Sequence, residues 1–272
     1  MNLENYFISL FQNKYIGDDA AVIDDFVYSK DAFFENVHFK KEWMTYEQIA
    51  QKAMLVNLSD AIAMNAKPLY ALLSVAMPKG MSKQDMQDLA KGFKNVAKAY
   101  GVEIIGGDTI SNTKLDITIT IISKTKKPLL RKGIRANSLM AFTGELGHSK
   151  KDLKKLFNGG SIHKKSKFVN IQLRKDFINK TQRLLQAGMD ISDGLFSDLD
   201  KMASVNSIGF SFTQKITSFM GCSGEEYEML VAFDKRSKKA VLRRAKQSRT
   251  KLTIFAKASR SRYTNRCKAH HF

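Results

Sequence analysis

The 272-residue chain has no apolar run near the roughly 20 residues that span a bilayer. Its start, Met1-Asn2-Leu3-Glu4-Asn5-Tyr6, lacks a basic n-region and a signal-type apolar segment. Both absences lead to the expectation of a cytoplasmic protein without membrane contact. Cysteine is scarce. Cys222 and Cys267 are the only two, they have no metal-ligand spacing, and they read as free thiols in a reducing compartment. A His/Cys metal cage is missing, as are the Walker sequence G-x-x-x-x-G-K-[ST] and the protein-kinase motif set. No repeat of fixed period is present.

The composition that remains is ordinary for a globular protein. It is 43% hydrophobic and 26% charged, enough to bury a core in one large or two medium domains. The net charge of +19 is unevenly spread. Residues 1–60 hold five lysines against ten Asp and Glu, whereas residues 235–272 hold fourteen Lys and Arg and no acid. Such a segment either binds nucleic acid or is a solvated surface that attracts anionic substrates. Apolar stretches within it, such as Leu252-Thr253-Ile254-Phe255, favour a folded segment over a disordered arm and make nucleic acid the less favoured partner.

Patterning predicts alternating helices and strands. A short amphipathic helix over residues 3–12 precedes the turn Gly17-Asp18-Asp19. A strand at Ala21–Tyr28 follows, then one over Phe33–Phe39 that contains His38. Thr45-Tyr46-Glu47-Gln48 is a capping box opening a helix to about Asn65, and Pro68 marks its stop. Leu69–Met77 reads as a buried strand. From Ser82, a helix places Met86, Leu89, Phe93, Val96 and Tyr100 on one face and closes at Gly101. Val102–Ile105 is a strand running into a turn, Gly106-Gly107-Asp108-Thr109, and Leu115–Ile121 alternates as a half-buried strand. Pro128 and Gly133 flank a domain junction, which divides the chain into residues 1–130 and 131–272. Beyond it come strands at Leu139–Thr143, Ile208–Phe212 and Met229–Phe233. Helices are predicted at Ile171–Gln186, after Gly194, and at Lys238–Lys246. The alternation argues for an α/β or α+β fold.

The chemistry is concentrated in acidic turns: Gly17-Asp18-Asp19, Gly106-Gly107-Asp108-Thr109, and Asp190-Ile191-Ser192-Asp193-Gly194. Any one aspartate in a turn has a plain explanation in bonding its own backbone. Several in one chain, beside apolar runs, call for a cation to neutralise them. Mg²⁺ takes hard oxygen ligands, and nucleotide sites bind it through a few carboxylates plus the phosphates.

These motifs resemble the thiamine-monophosphate kinase family, of the superfamily that includes aminoimidazole ribonucleotide synthetase and selenophosphate synthetase. The matching segments are Ile16-Gly17-Asp18-Asp19-Ala20, Ser29-Lys30-Asp31 through Val37-His38-Phe39, Val56-Asn57-Leu58-Ser59-Asp60, Gly106-Gly107-Asp108-Thr109, Asp190-Ile191-Ser192-Asp193-Gly194 and Ser223-Gly224-Glu225-Glu226-Tyr227-Glu228. The resemblance implies an α+β, two-domain PurM-like architecture: an N-terminal mixed sheet with helices for ATP, Mg²⁺ and dimerisation, and a C-terminal α/β domain completing the site. It also implies ATP-dependent phosphorylation of thiamine monophosphate to thiamine diphosphate by a homodimer. Catalysis would be by metal ions and electrostatics, with no nucleophile or general base of the protein's own. By position, Asp19, Ser29, Asp31, Asp60, Asp108, Asp190 and Asp193 would hold Mg²⁺, with Asp18 a neighbour able to share that duty. Gly107, Asp108, Arg131 and Ser192 would bind ATP. Tyr100 fits either the nucleotide or plain core packing. His38, Glu225 and Phe272 would contact the thiamine substrate, although His38 also suits a packed strand residue and Phe272 a frayed end.

Three positions depart from the family pattern. Lys30 stands where a small hydroxylated residue is usual, Asn65 replaces a Gly, and Glu226 replaces an Asp. Lys30 is expected to replace or weaken a metal contact. Two alternatives stay open: a related superfamily enzyme acting on another phosphorylated or amide substrate, and a basic nucleic-acid-binding protein on a degenerate kinase scaffold.

Overall fold

The computed structural model describes residues 3–11 and 13–268. Two five-stranded sheets organise the chain. The first contains β1 (Ala21–Ile23), β2 (Phe26–Phe34), β3 (Lys67–Pro78), β4 (Glu103–Asn112) and β5 (Asp116–Lys124) in the order β1-β2-β5-β3-β4. It is mixed, since β3 and β4 run parallel and the other pairs antiparallel.

After α1 (Leu3–Ser9), the helices α2 (Tyr46–Ala63) and α3 (Lys83–Tyr100) cover one face of this sheet. Both open with capping boxes: Thr45 with Gln48, and Ser82 with Asp85. α3 ends on Gly101 in the left-handed region, φ 69°, where a side chain would be strained. α2 is buried almost all round. One side meets Ile117, Ile119 and Ile121 of β5; the rest shares a core with Leu156, Phe168, Val169, Ile171 and Tyr227 from the second half. The opposite face of the sheet and the β4 edge are open, with Tyr28, Tyr70, Leu72, Ile105 and Ile110 exposed.

The second sheet is antiparallel. It contains β6 (Leu139–Thr143), β7 (Leu185–Asp190), β8 (Gly209–Phe212), β9 (Met229–Phe233) and β10 (Leu252–Ser259) in the order β7-β9-β6-β10-β8. Every β6 residue is buried because both faces are covered. Met140 and Phe142 face the core with α6 (Leu195–Asn206). Leu139 and Ala141 face α5 (Lys175–Thr181) and α8 (Lys238–Gln247). Of two further helices, α7 (Ser218–Gly221) packs Met220 against the α6-side core, and α4 (His148–Phe157) turns Leu156 into the core of the first half. The basic C-terminal segment is thus folded through residue 259 as α8 and β10.

Several expectations need correction. The strand Ala21–Tyr28 is split by a hairpin turn in which Asp24 takes φ 52°. β2 continues unbroken to Phe34, so His38 lies in the turn after it and not in a strand. Gly106-Gly107-Asp108-Thr109 is not a turn but part of β4, because the parallel pairing with β3 resumes after an irregularity at Ile105 and continues to Asn112. The helix Ile171–Gln186 shrinks to α5 and a short 3-10 turn, since Leu185 already pairs with Phe233 and Gln186 lies in β7. α4 forms in a polar, Lys-rich stretch for which the sequence pattern predicts no helix. Finally, Cys222 and Cys267 are not free thiols. They form a disulfide, with Cα atoms 5.6 Å apart, because the C-terminal segment folds back onto α7 and α6.

Candidate active site

The acidic site forms where the two halves meet. Just ahead of β1, Asp18 Oδ1 accepts the backbone N–H of Arg131 at 2.8 Å. The Arg131 guanidinium donates through Nε and Nη2 to Asp19 Oδ1, at 2.9 and 2.6 Å. Asp19 Oδ2 is buried with no hydrogen-bond partner. On β2, Ser29 Oγ donates to the Asn57 carbonyl at 3.4 Å, and the Asp31 N–H donates to Asn57 Oδ1 at 2.8 Å. α2 therefore locks β2 through Asn57 while carrying Ser59 and Asp60 two and three residues along. Ser59 Oγ donates to Asp190 Oδ2 at 2.5 Å, tying α2 to the end of β7. Asp193 pairs with Lys201 at 2.6 Å, and Lys201 also meets Asp198 at 2.9 Å.

Proton affinities report the crowding. Burial pushes Asp31 up to about 6, reinforced by Asp19 and Asp193. Burial and then Asp31, Asp190 and Asp19 push Asp60 well above the ordinary carboxylate range. Asp190 is raised in the same way, by burial and then Asp19. Burial also raises Asp18 and Asp19, although Arg131 opposes it on Asp19. Asp198 rises to about 6 by burial, against the pull of Lys201. Burial raises the Tyr227 hydroxyl, and the field of Glu225, Asp31, Asp190 and Asp60 adds to it. These are carboxylates with too few cations. Among the described residues, no three His, Cys, Asp or Glu side chains are placed to hold a metal ion by themselves.

The other predicted residues fall in three places. Lys30 points away from Asp31, across the sheet, to Thr118 Oγ1 at 3.1 Å and Thr120 Oγ1 at 3.5 Å, so it does not displace a ligand. Asp108 is exposed on β4, its Oδ1 accepting the N–H of Thr109 at 2.8 Å, and does not join the cluster within one chain. Gly107 (φ 147°) has a local reason to be glycine: a Cβ there would lie 1.7 Å from the Leu73 carbonyl oxygen. Tyr100 packs against the first core, with Lys175 Nζ 5.8 Å from its ring centre.

On the substrate side, His38 Nδ1 accepts the Phe34 N–H at 3.0 Å, and the imidazole stacks on Phe33 with centres 5.7 Å apart. Glu225 Oε2 pairs with Lys52 at 2.7 Å, and the Ser192 carbonyl accepts the Glu225 N–H at 2.7 Å. Phe272 lies outside the described residues.

Residues 17–125 match the family described as AIR synthase related protein, N-terminal domain. The thiamine-monophosphate kinase of Bacillus subtilis (strain 168) is 31% identical over 219 residues, covering 74% of this chain and 67% of that protein. The thiamine-monophosphate kinase of Buchnera aphidicola subsp. Schizaphis graminum is 31% identical over 262 residues, covering 83% and 78%. The chain belongs to the thiamine-monophosphate kinase family. A solved structure of AaThiL complexed with AMPPCP and TMP superimposes with a TM-score of 0.87 at 22% identity, over 99% of this chain and 96% of that one. That likeness fixes the fold as the two-domain, PurM-like α+β architecture.

Within this kinase fold, sequence reasoning missed Asn57, Asp198, Lys201 and Tyr227 as parts of the site. Asn57 and Tyr227 sit inside motifs already singled out, but nothing in their spacing says which way they face. Asp198 and Lys201 had a signal: an acid–base pair three residues apart in the first turns after Asp193.

Proposed function

We propose that the protein transfers the γ-phosphoryl group of ATP directly to the phosphate of thiamine monophosphate, giving thiamine diphosphate and ADP. The observation that carries this reading is the buried acid cluster drawn from both halves, with Asp19 Oδ2 unpartnered and its neighbours held above their ordinary pKa. Family membership supplies the substrate.

The acceptor is a phosphate monoester whose second pKa is about 6, so it is largely dianionic near neutrality and needs no general base. The barrier is repulsion between two polyanions, and alignment with charge neutralisation lowers it. Asp19, Asp31, Asp60, Asp190 and Asp193, with Ser29, would hold Mg²⁺, and the donor set fits: hard oxygens, under-neutralised. When bound, Mg²⁺ offsets the phosphate charge and aligns the reacting oxygens. Arg131 and Ser192 are the groups we assign to the nucleotide, and His38 and Glu225 those we assign to the thiamine end.

We further read the enzyme as a homodimer joined through the first sheets, which the open apolar face and the unpaired β4 edge support. Asp108 and Gly107 would then sit at the seam between protomers, which accounts for the exposure of Asp108 in one chain. The division into residues 1–130 and 131–272 follows the two sheets. A cytoplasmic setting, where both substrates are dissolved, completes the reading; among the described residues no helix is long and apolar enough to cross a membrane.

The test mixes purified protein with ATP, Mg²⁺ and thiamine monophosphate and measures thiamine diphosphate. Product that disappears on chelating Mg²⁺ and survives moderate salt is the expected result. No product at saturating substrates overturns the reading.

A further inference from the structure

α2 carries a lysine where a helix buried on nearly every side should carry a hydrocarbon. The side chain of Lys52 is 1% exposed. Its ammonium lies 2.7 Å from Glu225 Oε2, 173 residues away in sequence, and 3.6 Å from the centre of the Phe168 ring. Phe33 adds a second ring at 5.6 Å. Glu225 is the one carboxylate paired with this ammonium among the described residues. A charge so placed is strongly destabilising unless it is matched, so the pairing is obligatory. The aromatic faces supply the remaining attraction.

The main chain of Glu225 is fixed as tightly as its side chain. Its φ of 54° is unusual for a non-glycine residue, and Tyr227 has φ 49°. The Glu225 N–H donates to the Ser192 carbonyl at 2.7 Å, and its own carbonyl accepts Ser149 Oγ at 2.7 Å. One carboxylate oxygen is taken by Lys52. The side chain is still 27% exposed, so the group is anchored but reachable. Phe33 links the ammonium to the imidazole of His38, which stacks on its ring.

Lys52 and Ser59 are seven residues apart on α2, hence on one face and about 10 Å apart along the axis. Each reaches across to the second half, Ser59 to Asp190 and Lys52 to Glu225. One rigid helix therefore sets the distance between the acid cluster and Glu225. A phosphate ester of a two-ring heterocycle can bridge that span with its phosphate at the acids.

We propose that Lys52 is a positioning residue for the thiamine end of the substrate: by holding Oε2 of Glu225, it aims the other oxygen at the cationic, electron-poor heterocycle. This rests on the functional reading above and names a residue for it. Glu225 in turn spares the Lys52 ammonium from being an unpaired buried charge, and the lysine's place on α2 keeps recognition of the heterocycle in register with the phosphates.

The test is steady-state kinetics on the full chain for wild type, Lys52→Met, Lys52→Arg, Glu225→Gln and the Lys52→Met/Glu225→Gln double variant. Lys52→Met keeps the stem length and removes the charge. Its KM for thiamine monophosphate is expected to rise about tenfold or more, with KM for ATP within about twofold, and Lys52→Arg to recover part of the loss. The double variant is expected to be no worse than the worse single, because both remove one unit. Equal changes in both KM values, no change in either, or additive losses overturn the proposal. If Lys52→Met does not fold, the comparison of Lys52→Arg with Glu225→Gln decides: a shared, selective rise in KM for thiamine monophosphate supports it, and a rise confined to Glu225→Gln overturns it. Wild type that makes no thiamine diphosphate removes the functional reading and this inference with it; wild-type turnover with an unselective Lys52→Met removes the inference alone.

Discussion

Glu226 and Glu228 flank Tyr227 in sequence, and the three side chains face different company. Tyr227 faces the aspartates of the acid cluster. Glu226 and Glu228, 1% exposed each, face away from it into cations and donors. Glu228 takes Arg174 through both oxygens at 2.7 and 2.6 Å, with Lys167 at 2.9 Å. Glu226 Oε1 accepts from Gly147, Ser149 and Ser223, with Lys167 3.0 Å from its other oxygen. Gly144 leaves room for Glu228, since a Cβ there would lie 1.9 Å from Oε1. The result is a Glu228 pKa below the ordinary value: burial raises it, but Arg174 and Lys167 outweigh burial. Across the loop, the aspartates are raised. One set of buried acids is neutralised by the protein itself. The other is left for something that arrives from outside.

Removing an acid from each set tests that contrast most strongly. Asp60→Asn is expected to lower turnover by about three orders of magnitude or more while raising the melting temperature of chelator-treated protein, because it relieves repulsion. A melting temperature that falls breaks the contrast. Asp108→Asn, outside both sets, is expected to leave the melting temperature unmoved, since its exposed side chain relieves nothing, and to lower turnover only if the seam between protomers brings Asp108 to the phosphates.

Arg174→Met leaves Glu228 with Lys167 as its one cationic partner among the described residues, and the loss is expected to approach the roughly 3–5 kcal/mol of a buried pair broken from one side. Denaturant unfolding measures it, and a loss below about 1 kcal/mol, the range of surface pairs, would show that the second set is not structural.

pH separates the two sets. Asp31 and Asp198 bind protons more tightly folded than unfolded, so without divalent cation their contribution to stability falls as pH rises from about 4 through 6. Glu228 has the opposite sign. Its contribution is present above the unfolded value of about 4.3 and is lost only as pH falls through its lower folded pKa. Chelated protein is therefore expected to melt lower at pH 7.5 than at pH 5, and Mg²⁺ to raise the melting temperature more at pH 7.5. A Mg²⁺ effect that is the same at both values contradicts the assignment. The smallest expected effect is that of Lys30→Thr, which should leave turnover within about twofold and stability within about 0.5 kcal/mol.

Sequence carried the acid cluster well because its members sit in short local motifs. Asp19, Asp31, Asp60, Asp190 and Asp193 each follow or precede an apolar strand or helix, and the structure gathers all five. Glu228 and Glu226 were in view but unreadable, because their partners Lys167 and Arg174 lie in an irregular segment with no periodicity. Lys52 was hidden for a related reason: a helix buried on every side has no stripe to mark which polar residue is inside. The disulfide could not be read from two cysteines 45 residues apart, since only tertiary folding makes them neighbours. Lys30 shows the reverse error. Its neighbours in sequence are site residues, but alternation along β2 sends it to the other face.

The Cys222–Cys267 bond encloses β9, α8 and β10, two of whose strands fill places inside the second sheet. The exposed lysines and arginines of α8 lie inside that ring. A protease cutting there would open the backbone without releasing a fragment, and the nicked molecule would travel as one species until a reductant separated its pieces. The most basic part of the chain is thus enclosed by a covalent ring.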